Sequence, residues 1–524
     1  MCGPQVVGYT IYQVYFHPLA RYPGPLIGKF LKMEVVHRAL MRSGGDVHLH
    51  IRHCHLRYGK KIPEVNFECN GAPFFYQLKR GQTNLGTVFV NVIGSIVRYG
   101  PNVLIFNTVE GLKDIYSNSK DIVKDDCYQV LHVGAKSILT ETNPKSHTQR
   151  AKLIVPGFLS HSINDFEPRI REHVSSLLTA LSAASKIEGQ SVSWGQPLVM
   201  SDWCSYSTLD MITDLVFGRS SNLIGQPELR HIVSDIEGML EHASFLLHAP
   251  FVLLGRIDKL LFKGKIRGTR RYRQMIKLMM QEAGENQIYN RLANHAASNS
   301  PSSFALSRTE ICSETALLVV AVLFYLAMYK HVYERLRREI HSTFQSLEDI
   351  HTGPALQSCT YLDACLKETL RISPGVSSAL YRKVGKRGAV IDGHFVPSGC
   401  SVATGIYSLH HNESYFPQPD IFIPERWLPG NESNSVSATH AAYVPFSLGS
   451  RACLGRNLAL RELEIMTSAI VWQFDFKISQ SHASLGAGHP LGGSGRTNPM
   501  EFQLSDHIVS HKKGPALQLR PRKP

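Results

Sequence analysis

Apolar residues recur with the helical period of about 3.6 positions through most of the middle of this chain. Four segments show this pattern most clearly, and each is predicted to form an α-helix. They are residues 202–217, 231–247, 266–283 and 310–340. Short runs of β-branched and aromatic residues predict strands at 95–98, 103–106, 390–391 and 401–403. The pattern therefore favours a fold that is mainly α with a small β portion.

The sequence shows no clear internal domain boundary. Its 524 residues, of which 43% are hydrophobic and 19% charged, have the composition of a folded globular protein. We therefore expect a single large domain over residues 23–524. Residues 1–22 are predicted to be a truncated apolar anchor and a hinge, because the apolar stretch at 6–16 is shorter than the roughly 20 residues that a bilayer span requires.

Two stretches depart from the surrounding pattern. Residues 60–94 separate a predicted helix from a predicted strand and are interpreted as an insertion. Residues 481–499 are rich in Gly, Ser and His and are predicted to form a flexible loop. The sequence GGSGR within this loop lacks the strand and helix that flank a phosphate-binding loop, so we interpret it as a flexible connection.

The chain is basic, with 56 Lys and Arg against 42 Asp and Glu and a formal net charge of +14. This charge suits an anionic membrane surface or an acidic protein partner. Nucleic acid is not expected as a partner, because no recognised binding motif accompanies the charge. The ten cysteines form no CxxC pairs and are predicted to be reduced thiols, which favours a location that faces the cytosol.

The sequence HLHIRHCH at 48–55 places four histidines around Cys54. His50 and Cys54 share one face of a predicted helix, but no second ligand pair with the spacing of a zinc site follows. We therefore predict a solvated helix here and no metal.

The most informative segment is FSLGSRACLGRNLALRELE, which begins at Phe446. Cys453 lies in it between Gly449 and Gly455, with Arg451 shortly before the cysteine and an amphipathic helix predicted to follow. Backbone N–H groups and the positive end of a helix stabilise a thiolate. Glycines allow the backbone to approach a large planar group closely. Cys453 has this setting.

The spacing F-x-x-G-x-R-x-C-x-G resembles the heme-binding loop of the cytochrome P-450 family. The resemblance implies that Phe446, Gly449, Arg451 and Gly455 surround a heme. It also implies that the thiolate of Cys453 is the axial ligand of the heme iron, where its electron donation favours O–O cleavage. The family's fold, a single large and mainly helical domain, is the expected architecture.

Two further motifs follow the family's order along the chain. In KETLRISP, Glu368 and Arg371 lie on one face of a predicted helix and can form an ion pair. The later sequence PERW contains Arg426. The resemblance implies that these three side chains form a buried network that supports the heme loop.

Other cofactor-binding positions are implied by the resemblance alone. Arg382 in LYRKV, like the arginine of the cysteine loop, resembles a residue that holds a heme propionate, since guanidinium groups suit carboxylates. His147 in HTQRAKLIVPGFLS resembles the first residue of another propionate-binding motif. The arginine that the family places four residues later is Ala151 here, and Arg150 or Lys152 is the alternative.

The segment CSETALLVVAVLFYLAM at 312–328 corresponds in position to the family's distal helix, which carries an A-G-x-E/D-T motif. Two alignments remain open. In the first, Glu314 and Thr315 are the carboxylate and the hydroxyl that deliver protons. In the second, which the flanking sequence favours, the motif is missing between Ala321 and Val322. The segment is shorter than the roughly 20 residues of a membrane span.

The resemblance implies a heme-thiolate monooxygenase that inserts one oxygen atom from O₂ into a small organic, apolar or aromatic substrate. The sequence is most similar to fungal microsomal members, including benzoate hydroxylase-like and secondary-metabolite oxidases. The expected partners are NADPH-cytochrome P-450 reductase and a membrane surface.

The expected location is the endoplasmic reticulum membrane with the catalytic domain facing the cytosol, or a soluble form if the short anchor does not hold. Two alternative functions are kept. One is a heme-binding protein with impaired or no turnover, and the other is an isomerase or dehydratase that needs no external electrons.

Overall fold

The structure is a computed structural model of the chain. It describes residues 3–33, 45–58, 95–117, 121–131, 137–186, 194–282, 301–430, 435–493 and 495–522. The insertion predicted at 60–94 lies outside the described residues.

Helices dominate the described part of the chain, which confirms the prediction of a mainly α fold. The α-helices are α1 (Gly3–Ile11), α2 (Val47–Tyr58), α3 (Val109–Tyr116), α4 (Pro144–Ile154), α5 (Ser160–Ser185), α6 (Met200–Phe217), α7 (His231–His248), α8 (Ile257–Leu261), α9 (Lys263–Glu282), α10 (Pro301–Met328), α11 (Lys330–Thr343), α12 (Pro354–Ser358), α13 (Thr360–Ile372), α14 (Ile406–His410), α15 (Ser435–Ala442) and α16 (Arg456–Gln473). The helices predicted at 202–217 and 231–247 are contained in α6 and α7.

The strands are short and form small sheets. They are β1 (Ile96–Gly100), β2 (Val103–Phe106), β3 (Ile122–Lys124), β4 (Leu198–Val199), β5 (Arg382–Val384), β6 (Ala389–Ile391), β7 (His394–Val396), β8 (Ser401–Thr404), β9 (Phe474–Ile478), β10 (Ser505–His507), β11 (Val509–His511) and β12 (Ala516–Pro521). The main sheet has the order β1-β2-β8-β5-β3, and β4-β12-β9 form a second sheet. In the main sheet β2 and β8 are parallel, with Val103 opposite Ser401. The four predicted strands coincide with β1, β2, β6 and β8.

Helix α10 lies in the centre of the core. Its part from Ala316 to Met328 is apolar on all sides, which is typical of a buried helix rather than a surface one. From Thr315 to Leu326 no side chain is more than 6% exposed. The helix packs against α6, α13 and α16, and it thereby connects the cysteine-containing end of the chain to the core.

The prediction of a single helix over 310–340 is wrong, because the chain bends after Met328. Helices α10 and α11 are bent by 113° relative to each other. Tyr329 leaves the helical region with φ −105° and ψ 78°. The bend separates two kinds of helix. Helix α10 buries every side chain from Thr315 to Leu326, whereas α11 buries only the stripe that contains Val332, Leu336 and Ile340. A straight helix would have carried the charged face of α11 into the core.

The apolar stretch near the N-terminus is helical. Helix α1 continues as a π-helical segment, Tyr12–Phe16. Val7, Tyr15 and Phe16 are 58%, 74% and 72% exposed. Over the described residues, no single helix has the length and apolar composition to cross a membrane, and only the bent pair Thr315–Met328 and Lys330–Thr343 meets both criteria together.

The histidine-rich helix α2 buries one face in the core, so the prediction of a solvated helix is wrong for that face. His48, Cys54 and His55 are 2%, 1% and 7% exposed, because α2 packs against β1 and α14. The His50 Nδ1 atom lies 2.6 Å from the Tyr99 hydroxyl. Within the described residues no group of three His, Cys, Asp or Glu side chains is arranged to hold a metal ion.

The loop predicted at 481–499 contains no α-helix in its described residues. It is held in place by Arg496, which pairs with Asp46 and donates a hydrogen bond to the carbonyl of Leu504 at 2.8 Å. The His489 N–H also donates to the carbonyl of Arg496 at 2.9 Å.

Candidate functional site

A cavity of about 680 Å³ lies between the cysteine loop and a roof formed by α7 and α9. Its floor consists of residues from the loop that precedes α16, namely Pro445, Phe446, Ser447, Arg451, Ala452, Cys453 and Leu454. Helix α7 contributes apolar side chains to the roof, including Met239, Leu240, Ala243, Leu246 and Leu247. The size and the mostly apolar walls are typical of a site for a cofactor together with a small organic ligand.

The cysteine loop is a tight turn that brings the thiol to this floor. The backbone N–H of Cys453 donates to the carbonyl of Phe446 at 3.0 Å, which closes the loop. Ser447 and Gly449 have φ values of 59° and 70°. This left-handed conformation is the reason for glycine at position 449. Gly455 caps α16, so the positive end of that helix lies directly after Cys453.

A basic cluster lies beside this loop and consists of Lys124, His147, Arg382 and Arg451. Lys124, His147 and Arg451 line the cavity. Arg382 is 5% exposed, and its guanidinium group lies 4.9 Å above the ring of Tyr116.

The positive charges of this basic cluster repel one another. Burial, followed by the charges of Arg451 and Lys124, lowers the pKa of His147 to about 4. Burial and the charge of Arg382 lower the pKa of Arg451 to about 10, with Glu141 as the nearby opposing charge. Arg451 donates from Nη1 to the carbonyl of Glu141 at 2.6 Å, whereas its buried Nη2 has no hydrogen-bond partner among the described residues. The cluster is therefore suited to an anionic ligand.

The predicted ion-pair network is present and buried. Glu368 and Arg371 are both 0% exposed, and Arg371 donates from Nε and Nη2 to the two carboxylate oxygens of Glu368 at 2.9 Å. Arg426 donates to Glu368 at 3.0 Å. The positive charge of Arg371, added to that of Arg426, keeps the pKa of Glu368 below its ordinary value against the opposing effect of burial. Arg371 also donates to the carbonyls of His410 and Pro419, both at 2.8 Å.

Two residues of this region were missed by the sequence analysis. Trp427 donates its indole N–H to Glu368 at 2.8 Å, and its position next to Arg426 in PERW was the available indication. His410 lies 3.0 Å from the carbonyl of Arg371 through Nδ1, and its Nε2 accepts the backbone N–H of Val444 at 3.0 Å. No sequence pattern marks His410, because its partners are backbone groups.

Of the two distal-helix residues, Thr315 is the one whose side chain the structure describes. Thr315 is 1% exposed and forms a hydrogen bond with the Glu462 side chain on α16. Burial raises the pKa of Glu462 to about 7. Among the described residues that line the cavity, Thr315 is absent. The backbone of Glu314 is in α10, while its side chain lies outside the described part.

The family model described as Cytochrome P450 matches residues 91–306 and 313–487, so the chain belongs to the cytochrome P450 family. This confirms both the resemblance and the expected fold. The protein is therefore a monooxygenase, an oxidoreductase that incorporates oxygen. The two matched segments are interrupted at 307–312, before Thr315 rather than between Ala321 and Val322.

Several monooxygenases of fungi are similar over nearly the whole chain. Cytochrome P450 monooxygenase AKT7 of Alternaria alternata is 32% identical, with 98% of this chain and 96% of the relative covered. Cytochrome P450 monooxygenase poxM of Penicillium oxalicum is also 32% identical, with 98% and 92% covered. Cytochrome P450 monooxygenase atnE of Emericella nidulans is 30% identical, with 99% and 96% covered.

The residues around the cavity fit the heme that this family implies. A heme carries two propionates, and the buried Nη2 of Arg451 together with the excess positive charge of the basic cluster provides a place for such anions. The thiol of Cys453 lines the same cavity and is the one donor in its floor that suits iron.

Proposed function

We propose that the protein binds heme through the thiolate of Cys453 and acts as a monooxygenase on a small organic substrate. The observation that supports this proposal most strongly is the common cavity. It places Cys453, at the positive end of α16, in one cavity with three basic side chains of the basic cluster, Lys124, His147 and Arg451. A thiolate and two carboxylates of one flat molecule would satisfy both parts of the floor.

In this proposal the basic cluster holds the heme propionates. Arg451 and His147 would receive them from the cavity side, and Arg382 would add charge from β5. Phe446, Gly449 and Gly455 would shape the loop around the macrocycle, since a left-handed turn at Gly449 keeps side-chain atoms away from the cysteine. When bound, heme supplies the activation of O₂ that these side chains cannot perform.

The network of Glu368, Arg371 and Arg426 would then position the floor. Arg371 binds three carbonyl groups, those of His410, Pro419 and Ile421, and so fixes the chain that leads to the cysteine loop. None of the three residues of this network lines the cavity, and Glu368 and Arg371 are fully buried. We propose that they support the cofactor indirectly.

The substrate proposed from the cavity walls is small and largely apolar or aromatic, as in fungal secondary metabolism. Leu246, Leu247, Val376 and Ile406 line the space above the floor. Apolar walls bind a ligand by burying its apolar surface, and they exclude water from the reacting centre. The way in which the polar end of the ligand is held determines which of its carbon atoms is oxidised.

NADPH-cytochrome P-450 reductase is the proposed electron donor, with O₂ as the second substrate. The net charge of +14 supports docking of an acidic flavoprotein. This association is expected to weaken as the salt concentration rises.

We further propose that the catalytic domain lies against the cytosolic face of the endoplasmic reticulum. Exposed apolar side chains support this placement at two segments, around α1 and around α8. They are Val7, Tyr15 and Phe16 in the first segment and Leu260 and Leu261, 82% and 60% exposed, in the second. Helix α9, with its many Lys and Arg residues, adds attraction to an anionic surface.

Proton delivery by Glu314 and Thr315 remains a proposal that the sequence resemblance supports. The interruption of the family match at 307–312 leaves both residues inside the second matched segment. The hydrogen bond of Thr315 to Glu462 directs its hydroxyl toward α16. Glu314 is therefore the residue of this pair on which the proposal chiefly rests.

A reduced, carbon monoxide-treated spectrum of the purified protein tests the proposal first. A band typical of thiolate-ligated heme is expected in the wild type and should disappear in Cys453→Ser. Cys400→Ser, which changes a different cysteine, serves as the control and should retain the band. If the wild type loads heme without the thiolate band, Cys453 is not the ligand.

Turnover assays then separate monooxygenation from the alternatives. A monooxygenase consumes NADPH and O₂ with reductase and releases a product that contains one oxygen atom from ¹⁸O₂. An isomerase or dehydratase converts substrate without reductase, and a heme protein without turnover shows neither activity. Conversion in the absence of reductase and O₂ would therefore refute the proposal.

A further inference from the structure

One face of α9 lines the cavity with basic groups. Ile266, Thr269, Arg270 and Arg273 follow the spacing i, i+3, i+4, i+7 and form a stripe that faces the cavity. Lys259, from the neighbouring helix α8, lines it as well. The roof thus carries three cationic side chains above largely apolar walls.

Two carboxylates, those of Asp258 and Asp506, also line the cavity, fewer than the three cationic side chains of the roof. Asp258 lies 3.9 Å from Nε2 of His242, which is beyond hydrogen-bond distance.

Arg271, which follows Arg270 in α9, makes a bidentate ion pair with Asp235 on the side of the helix that faces away from the cavity. Its Nε lies 2.9 Å from Oδ2. Asp235 and Glu241, the second of which pairs with Lys265, do not line the cavity.

Arg273 is a roof residue with a polar atom that lacks a partner. Its Nε is buried and has no hydrogen-bond partner among the described residues. Desolvation by burial lowers the pKa of Arg273, and no charged neighbour contributes to that change. Arg273 belongs to the roof and the basic cluster to the floor, so basic groups line the cavity at both places.

We propose that the substrate of this monooxygenase carries an anionic group, a carboxylate, which Arg273 binds at the roof together with Arg270. The inference rests on the function proposed above and names the class of its substrate. Guanidinium groups bind carboxylates with paired, charge-assisted hydrogen bonds. The apolar walls between α9 and the cysteine loop then hold the hydrocarbon part of the molecule, so that a carbon distant from the carboxylate faces Cys453.

Binding of dodecanoic acid and dodecanamide to the heme-loaded protein tests this proposal. Both probes have the same chain, and only the acid is charged at neutral pH. Binding is measured by calorimetry and by the change in heme absorption, in detergent without lipid. The wild type is expected to bind the acid at least about tenfold more tightly than the amide, as a charge-assisted hydrogen bond predicts.

Arg273→Gln should remove this preference and leave the affinity for the amide unchanged. Arg267→Gln, a change to an exposed arginine of α9 that does not line the cavity, is the matched control and should keep the preference. Heme content reports whether each variant is folded. Equal binding of acid and amide by the wild type, binding of neither probe, or equal losses in both variants would overturn the proposal.

A phospholipid head group offers the same chemistry, so vesicles form a second arm of the experiment. Phosphatidylserine and phosphatidylcholine vesicles are compared with the wild type and Arg273→Gln. A variant that loses vesicle binding but keeps its preference for the soluble acid would show that Arg273 serves a lipid, which overturns the substrate proposal. Because calorimetry does not depend on a heme signal, a protein without thiolate ligation could still bind the acid, and the two proposals can fail separately.

Discussion

His410 accepts a hydrogen bond from the backbone N–H of Val444 at 3.0 Å. Because Nε2 is the acceptor, Nδ1 carries the proton and donates to the carbonyl of Arg371, also at 3.0 Å. Burial lowers the pKa of His410 to about 3, so the neutral ring is the stable form at physiological pH. One imidazole thus joins the buried ion-pair network to the segment that enters the cysteine loop.

Replacement of His410 by Ala is expected to weaken the cysteine loop. It leaves a buried N–H and a buried carbonyl without their partner, which costs about 2–4 kcal/mol. We expect a lower thermal midpoint and a lower heme content in His410→Ala. His161→Ala, at an exposed histidine of α5, should match the wild type. Full heme content in His410→Ala would contradict the proposed connection.

Replacement of Glu368 by Gln is expected to be among the single changes that destabilise the fold most. It leaves Arg371 and Arg426 without their negative partner in a buried site, at a cost of about 3–5 kcal/mol. Soluble yield and the thermal midpoint measure the effect, with Glu413→Gln at an exposed position as the control. Equal stability of the two variants would show that the network does not support the fold.

Replacement of Arg451 by Ala is expected to weaken heme retention. The variant loses the guanidinium group whose Nη2 is buried without a partner, and a charge-assisted bond of about 1.4 kcal/mol or more corresponds to tenfold in affinity. Transfer of heme to apomyoglobin should therefore be at least about tenfold faster. Arg338→Ala, on the exposed side of α11, is the control. Unchanged transfer would remove Arg451 from the propionate site.

Glu462 makes stability depend on pH in a definite direction. Its pKa rises from the model-peptide value of 4.5 to about 7 in the fold, so the native state keeps a proton that the unfolded state has lost between these values. Stability therefore falls as the pH rises from 4.5 to 7, by about 3 kcal/mol in all. Glu462→Gln should remove this contribution and melt higher than the wild type at pH 7.5, but not at pH 4.5. An identical difference at both pH values would contradict the assignment.

Thr315→Val tests the distal helix. Because the Thr315 hydroxyl is bound to Glu462, we expect the variant to alter stability and to keep the ratio of product formed to NADPH consumed within about twofold of the wild type. Glu314→Gln, at the neighbouring position, is the comparison for proton delivery and should lower that ratio. A tenfold fall in Thr315→Val would instead assign proton delivery to Thr315.

The sequence was most informative where side chains pair with side chains at fixed spacing. Glu368 and Arg371 lie on one helical turn, and Arg426 belongs to a distinct motif, so the network was predictable. His410 and the unpartnered roof arginine Arg273 were not, because their surroundings come from segments distant in sequence. Tertiary contacts of this kind leave no local pattern.

Local sequence patterns gave wrong predictions for two helices. Apolar periodicity continued across Tyr329, and only the different surroundings of α10 and α11 explain the bend there. The histidines of α2 suggested solvent by composition, yet α2 packs between β1 and α14. In both cases burial by neighbouring elements overrode the intrinsic preference of the segment.

The basic cluster has a consequence for the abundance of the protein in the cell. Lys124, Arg382 and Arg451 bring positive charge together in a buried place, and repulsion among them opposes folding of the chain alone. A ligand that binds only the folded state stabilises it by mass action. The intracellular supply of porphyrin should therefore govern how much of this polypeptide escapes proteolysis, so that its abundance follows porphyrin synthesis even at constant translation.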